Sequence, residues 1–532
     1  MTEIAGWSEA TDAPEARRRP FAGRVGTRAW AYAQIAGWVL FATGIAYSVV
    51  LRFWHLGQLG YNSDEAVYAG QAASLADDPE LKQFFPIFRA HPLLFQSILA
   101  VGFKFGVNDV TGRAISAAFG LGTIVIVYKL GVLLYGRKAG LLASLFVALM
   151  PYHVLVSRQV LLDGPMVFFA TLTLYLLALY ATTKRPAWLY AAGGAMGLTV
   201  LGKETSILLL GAIYAFFALS PDIHVRMRNL AISFGVMVLV IAPFPLTLKL
   251  AGHAQTGESY LAWQLFRRPN HQWSFYPATV PAVIGPLLVF VALLGLWLLR
   301  DQISWRETLL LSWIVVPALF FQLWPVKGFQ YLLPSAIPIA LLAGRTIGRL
   351  KPEPAKAGSR WANWPRLVAP VLAVTVALTL AVETHARIQP STSGTFLAGS
   401  GGVPGGRELG HWVESRVPEG AQLLAIGPSM ANIVQFYGHR RAYGLSVGPN
   451  PLRRNPAYEP ITNPDLAIRS NELQYLVWDA FSASRTSFFS DKLLAYADRY
   501  NGRIVHTESV ITKTREGKYA KRPVIVVYEV RP

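Results

Sequence analysis

HPLLFQSILAVGFKFG, residues 91–106, decides the topology of this chain. It is apolar and carries Lys104 near its end. A helix of about 16 residues covers about 24 Å at about 1.5 Å per residue, short of the roughly 30 Å of a bilayer core. If it lies in the membrane interface, the basic clusters on either side of it fall into order. Arg17, Arg18, Arg19, Arg24 and Arg28 then face the cytoplasm, with Arg137 and Lys138, Lys184 and Arg185, Arg226 and Arg228, Arg300 and Arg306, and the stretch from Arg345 to Arg366. That is the positive-inside pattern. If residues 91–106 span instead, every later cluster flips outside.

Composition supports the membrane setting. Of 532 residues, 53% are hydrophobic and only 15% charged, against about 25% charged in soluble domains. The mean hydropathy is +0.36. Apolar runs at about 30–53, 110–135, 139–157, 164–183, 187–202, 205–220, 230–250, 278–299, 308–324, 329–345 and 366–382 read as spans, about eleven in all. The net charge of +19 follows these runs, so it reads as topology and argues against a nucleic-acid partner. Cysteine is absent, which excludes disulfides and thiolate zinc. Residues 1–29 read as a cytoplasmic tail and 30–387 as the membrane domain.

The composition changes from about Ile388. STSGTFLAGSGGVPGGRE contains a Ser/Gly/Pro linker, placed at 388–404. RELGHWVESRV and ANIVQFYG read as helices; AQLLAIGP, LQYLVWDA and RPVIVVYEV read as strands. Their alternation predicts an extracytoplasmic α/β domain over 405–532. A long Pro/Asn loop, GPNPLRRNPAYEPITNPD, interrupts it, either as cover for a site or as plain irregular chain.

With an odd number of spans, several ionisable groups share the outward face: Asp64 and Glu65 in YNSDEAVYAG, Arg158 and Asp163 in RQVLLDGPM, Lys203 and Glu204 in LGKETS, the Gly252–Tyr276 loop, and Lys327. Such groups beside spans are costly, about 2.5–3.5 kcal/mol at a helix centre. Both signs on one face suggest a polar cavity for an anionic ligand with a proton transfer. His91, His253 and His271 are outward candidates as well. There is no phosphate-binding Gly-rich loop followed by Lys-Ser/Thr, and no HExxH.

An ordered series of stretches carries a family resemblance: LGYNSDEAVYAGQAASLA, AHPLLFQSILAVGFKFG, GRAISAAFGLGTIVIVYKLGVLLYGRKAGLLASLFVALMPYHVLVSRQVLLDGPMVFF, AAGGAMGLTVLGKETSILLL and KGFQYLLPSAIPIALLAG. Over about residues 35–345 the chain resembles the GT-C glycosyltransferases. More narrowly, it resembles the glycosyltransferase family 39 type: protein O-mannosyltransferases and the aminoarabinose and galacturonosyl transferases acting on lipid A or lipopolysaccharide core. The resemblance implies a polytopic α-helical GT-C fold and transfer of a sugar from a polyprenyl-phosphate donor to an extracytoplasmic glycan, lipid or protein, with inversion. It places the Asp-Glu pair of the reaction centre at Asp64 and Glu65 and the family's Pro-Pro-Leu motif at His91-Pro92-Leu93-Leu94, where Leu93 replaces the second proline. The acid of the second outward loop falls on Asp163 and the base after the fifth span on Lys203. A late Lys-x-x-x-Tyr-Leu-x-Pro element falls on Lys327, Tyr331 and Pro334, with Gln330 where Arg is common. On this basis Asp64 is expected as catalytic base with Glu65 beside it, and Lys203, Arg158 and Lys327 as ligands of the donor phosphate. His91, Asp163, Tyr61, Tyr68 and Tyr331 are expected around the substrate, with His91, Asp163 and Asp64 as possible ligands of a divalent metal. A flippase for polyprenyl-linked glycolipids and a non-catalytic glycan-binding membrane protein are the alternatives.

Overall fold

The computed structural model describes residues 23–88, 91–350, 364–389, 403–451, 454–513 and 519–532. Most of the expected tail and linker, residues 1–22 and 390–402, lies outside them. Two units are distinguished, Met1–Thr43 and Gly44–Pro532. The described part of the first is the opening of helix α1, Gly23–Phe53, which begins within the expected tail.

Helices follow in the second unit: α2 Ser63–Leu75, α3 Leu94–Phe103, α4 Asp109–Tyr135, α5 Arg137–Leu149, α6 Pro151–Ser157, α7 Asp163–Thr183, α8 Pro186–Gly202, α9 Leu209–Ala218, α10 Met227–Ile241, α11 Pro243–Leu250, α12 Ala254–Leu265, α13 Phe275–Ile284, α14 Pro286–Leu298, α15 Trp305–Leu323, α16 Leu333–Arg349 and α17 Trp364–Ile388. Each expected apolar segment holds a helix. Among the described residues, six are long and apolar enough to cross a bilayer, and eight if each bent pair is one span. The bends have local causes. Between α5 and α6 the axis turns by 58° just before Pro151. Between α13 and α14 it turns by 95° at Gly285, whose φ of +104° suits glycine and which Pro286 follows.

Helix α3 is shorter than residues 91–106 suggested. Its 10 residues reach about 15 Å, half of a bilayer core. Phe95, Leu99 and Phe103 face inward, each burial contributing about 1.5–3 kcal/mol. They share one core with Ala66, Ala69 and Ala73 of α2 and with the C-terminal residues Leu409, Phe436 and Tyr437.

That shared core joins the C-terminal segment to the first loop. The segment forms helices α18 Gly406–Arg416, α19 Pro428–Gly438, α20 Pro464–Arg469, α21 Ala480–Arg485 and α22 Ser487–Arg499, with strands β1 Leu423–Ala425, β2 Ala442–Gly444, β3 Tyr475–Asp479, β4 Arg503–Lys513 and β5 Tyr519–Glu529. The sheet order is β2-β1-β3-β5-β4. Strand β1 pairs in parallel with β2 and β3, while β5 is antiparallel to β3 and β4. Helix α19 lies against α2, and polar contacts lock the join. Tyr437 Oη donates to Asp109 Oδ1 at 2.7 Å and accepts from Tyr61 N at 2.6 Å. Arg407 reaches Asp109 at 3.1 Å and the Gly57 carbonyl at 2.8 Å.

Candidate active site

The site begins at the N-terminus of α2. Asn62 caps it: its Oδ1 accepts from Asp64 N at 2.9 Å and Glu65 N at 3.1 Å, and Glu65 returns a bond to Asn62 N at 3.0 Å. This capping box fixes the two acids in successive positions, about 100° apart around the helix. They therefore meet different surroundings.

Glu65 turns into the protein. Arg113 grips it through Nε at 2.8 Å and Nη2 at 2.7 Å, and Val160 N donates at 3.0 Å. The other Arg113 donors bind the carbonyls of Leu56, Leu59 and Gly60. Glu65 is fully buried with every partner supplied by structure. Beside Asp64, Glu65 ties the loop after α1 to α4.

Asp64 turns outward. Its side chain is exposed, and among the described residues nothing donates to its carboxylate. The protein closing around the cavity pushes its carboxyl above the ordinary range; Lys203 and His91 oppose that rise, Asp163 adds to it and Arg267 again opposes it. These four charges act on the acid.

His91 bonds Glu204 through Nδ1 at 2.9 Å and lies 3.4 Å from the Tyr260 hydroxyl through Nε2. Its ring meets Tyr68 edge-on, with centroids 5.7 Å apart. Burial raises the Glu204 carboxyl, but His91 more than offsets this and leaves it below the usual carboxylate range. Lys203 Nζ bonds both oxygens of Asp163, at 2.9 and 2.8 Å, and sits 4.8 Å from the centre of the Tyr331 ring. Thus Asp64, Tyr68, His91, Asp163, Lys203 and Tyr331 share one neighbourhood.

Three expected residues do not belong to it. Arg158 donates to the Leu51 and Trp54 carbonyls at 2.7 and 2.8 Å, capping the C-terminal end of α1. Lys327 donates to the Gln322 and Trp324 carbonyls at 2.9 and 3.1 Å, closing α15. A helix end leaves carbonyls without partners, and a nearby cation satisfies them. Tyr61 is buried against Phe436 and Tyr437, its hydroxyl on the Asn108 carbonyl. Arg158 and Lys327 thus each give two donors to a helix end, and Tyr61 packs in the core under α19.

The structure adds groups that the motifs did not single out. Tyr260 and Arg267 come from α12 and the turn after it; Arg267 stacks on Trp263 at 4.5 Å. YLAWQLFRR, rich in aromatics and arginine inside an outward loop, was the available signal. Arg485 comes from the C-terminal segment. Burial lowers its guanidinium and the Asp64 charge pulls it back up, so Arg485 feels the field of that acid. His271 stacks on Phe275 at 4.0 Å and His253 lies beside Phe88. Among the described residues, the one group able to offer three metal ligands together is Glu80, Glu414 and His439, which contains none of the expected ligands.

The chain shares its fold with solved structures of the GT-C type. The ArnT protein of Cupriavidus metallidurans superposes on 93% of this chain and 98% of its own with a TM-score of 0.66 at 17% identity. The Archaeoglobus fulgidus oligosaccharyltransferase superposes on 91% of this chain and 73% of its own, with a TM-score of 0.59 at 13% identity. In sequence, residues 90–248 match the family of dolichyl-phosphate-mannose-protein mannosyltransferases. The undecaprenyl phosphate-alpha-4-amino-4-deoxy-L-arabinose arabinosyl transferase 1 of Pseudomonas fluorescens is 30% identical over 279 residues, 47% of this chain and 48% of that one. The chain thus spans about half the length of this curated relative, and 36% of a related Aquifex aeolicus protein. The family resemblance read from the sequence holds, and the chain is a multi-pass membrane protein.

Proposed function

We propose that this protein transfers a sugar from a polyprenyl-phosphate donor to an acceptor outside the cytoplasm. The observation that carries the reading is Asp64: an open carboxylate, held by a capped helix start and ringed by Lys203, His91 and Arg267. One relative by fold, the Cupriavidus ArnT, is described bound to undecaprenyl phosphate, which supports a donor of that class. In the proposed step the acceptor hydroxyl gives its proton to Asp64 while its oxygen bonds the anomeric carbon. The bond from that carbon to the phosphate oxygen breaks, its electron pair leaves with the phosphate, and the configuration inverts. Arg267 and Lys203 stabilise the charge that grows on the leaving phosphate. Asp163 holds Lys203 in place, and Glu204 orients His91 against the substrate. The test compares envelope glycans by mass spectrometry with and without the protein: one glycan should lose a sugar when the gene is removed, and an unaltered profile would reject the reading.

The pH profile follows from the same acid. A base must be ionised to work, and Asp64 is shifted upward by the protein around it. The transfer rate should therefore fall as pH drops through a value above the ordinary carboxylate range of about 4. A rate that stays flat down to that range would argue against Asp64 as the base.

The proposed topology has eleven spans, the N-terminus cytoplasmic and the sheet-bearing segment outside, with α3 on the outer surface. The chain has no cysteine, so single cysteines report without background. Cysteines at Leu93 and Phe105, at the two ends of α3, should both react with an impermeant maleimide added to intact cells or spheroplasts. Reaction at one end only after the membrane is opened would overturn the arrangement.

A further inference from the structure

Val447 and Ala457–Glu459, from the chain after β2, form one wall of a pocket whose other walls are the Gln83–Pro86 turn after α2 and residues of α19 and β2. We infer that this pocket anchors an uncharged glycan portion of the acceptor, an inference that rests on the transferase reading above.

The lining has the chemistry of a polyhydroxyl site. Gln83, Asn432 and Gln435 supply amides, each able to donate and accept at once, as a sugar hydroxyl does. Asn432 is 1% exposed, and its Nδ2 donates to Ser63 Oγ at 3.1 Å and faces the Tyr458 hydroxyl at 3.5 Å. Among the described residues nothing donates to its Oδ1. The one cation, Arg441, is matched by Glu459 at 3.1 Å. The lining is therefore close to neutral, which disfavours a phosphate or another strong anion and suits a ligand of hydroxyl groups. Beta-strand β2, at the sheet edge, supplies backbone, and the ring of Tyr458 supplies a flat apolar face for sugar C–H groups.

The position suits an acceptor. Ser63, which receives the Asn432 amide, directly precedes Asp64 in the first turn of α2. The Asn432 amide of the pocket lining thus holds the residue next to Asp64. A glycan anchored past Ser63 presents its following units to Asp64, and binding energy gained away from the reacting atoms positions the hydroxyl that reacts. The Pro/Asn tract then has a purpose: proline limits the loop's freedom, so little order is lost when a ligand fills the pocket.

The test uses the full chain in lipid nanodiscs. Undecaprenyl-phosphate sugars from a deletion strain grown on [14C]glucose serve as donor, and the unlabelled envelope glycan fraction of the same strain as acceptor. Gln83→Trp, which fills the pocket from an exposed position, and Glu459→Gln are compared with Tyr458→Ala. Gln83→Trp and Tyr458→Ala should raise the acceptor concentration for half-maximal transfer by about tenfold, the scale of one or two lost hydrogen bonds, with donor half-saturation and rate at saturation unaltered. Glu459→Gln, which leaves Arg441 unbalanced, should make binding sensitive to added phosphate. Acceptor half-saturation like the parent's in all three overturns the subsite while leaving the transferase reading intact. Label recovered in protease-sensitive polypeptide overturns the glycan assignment. A parent that transfers no label to any acceptor overturns the transferase reading and the subsite with it.

Discussion

The Asp64→Asn protein is expected to bind a polyprenyl-phosphate sugar as well as the parent and to transfer it about 10²–10⁴-fold more slowly, the usual loss when a general base is removed. The substitution keeps the side chain's size and leaves the cap untouched, because Asn62 bonds the Asp64 backbone N–H and not its carboxylate. Folding should therefore be unaffected. Donor binding should hold or tighten, since a negative charge beside the phosphate site has gone and Lys203, His91 and Arg267 remain. The measurement is single-turnover transfer with a defined lipid-linked donor, with donor binding followed separately. Full turnover by this variant would remove Asp64 from the mechanism. A flippase or a glycan-binding protein would tolerate the change, so the same experiment separates the three readings.

The adjacent acid should behave in the opposite way. Glu65→Ala is expected to destabilise the protein by about 3–5 kcal/mol, the cost of leaving a buried charge without its partner. The stranded charge is Arg113, buried and deprived of two of its five hydrogen bonds. Val160 N and Asn62 N lose their acceptor as well, so the α2 cap and the entry to α7 loosen together. A lower apparent melting temperature and poor recovery of monodisperse protein are the readouts. Glu65→Gln, which keeps one acceptor oxygen, should lose less. The double variant Glu65→Leu, Arg113→Met should recover part of the loss, because an apolar pair needs no partner; its other consequence, three freed carbonyls at Leu56, Leu59 and Gly60, prevents full recovery. A Glu65→Ala protein as stable as the parent, with reduced transfer, would return Glu65 to the catalytic group.

These two acids show where sequence reading reached and where it stopped. The apolar runs announced the helices because lipid and helix core ask for the same residues over a fixed length. Asn62 and Ser304 cap helix starts, a local signal that acts within three or four residues of itself. An apolar stretch pointed to β1, and runs rich in β-branched and aromatic residues pointed to β3 and β5. The short β2 lacks that signal, whereas β4, rich in Ile, Val and Thr, carries it and went unread.

Side-chain roles were harder, because they depend on partners far away in the chain. Nothing near Glu65 foretells Arg113, and nothing near Lys327 or Arg158 shows that open helix ends will claim them. The stretch from Arg345 to Arg366 read as one cytoplasmic cluster, yet Arg345 is buried on Glu307 at 2.8 Å, while residues 351–363 lie outside those described. The sequence by itself determined the membrane class, the helix positions and the presence of an acid pair at the first loop. Only the tertiary structure decided which acid is open and which is tied, that Tyr61 belongs to the core under α19, and that Tyr260 of α12 meets His91. The reason is desolvation: a charge taken out of water must find a partner wherever the fold brings one, and the chain's linear order does not record that meeting.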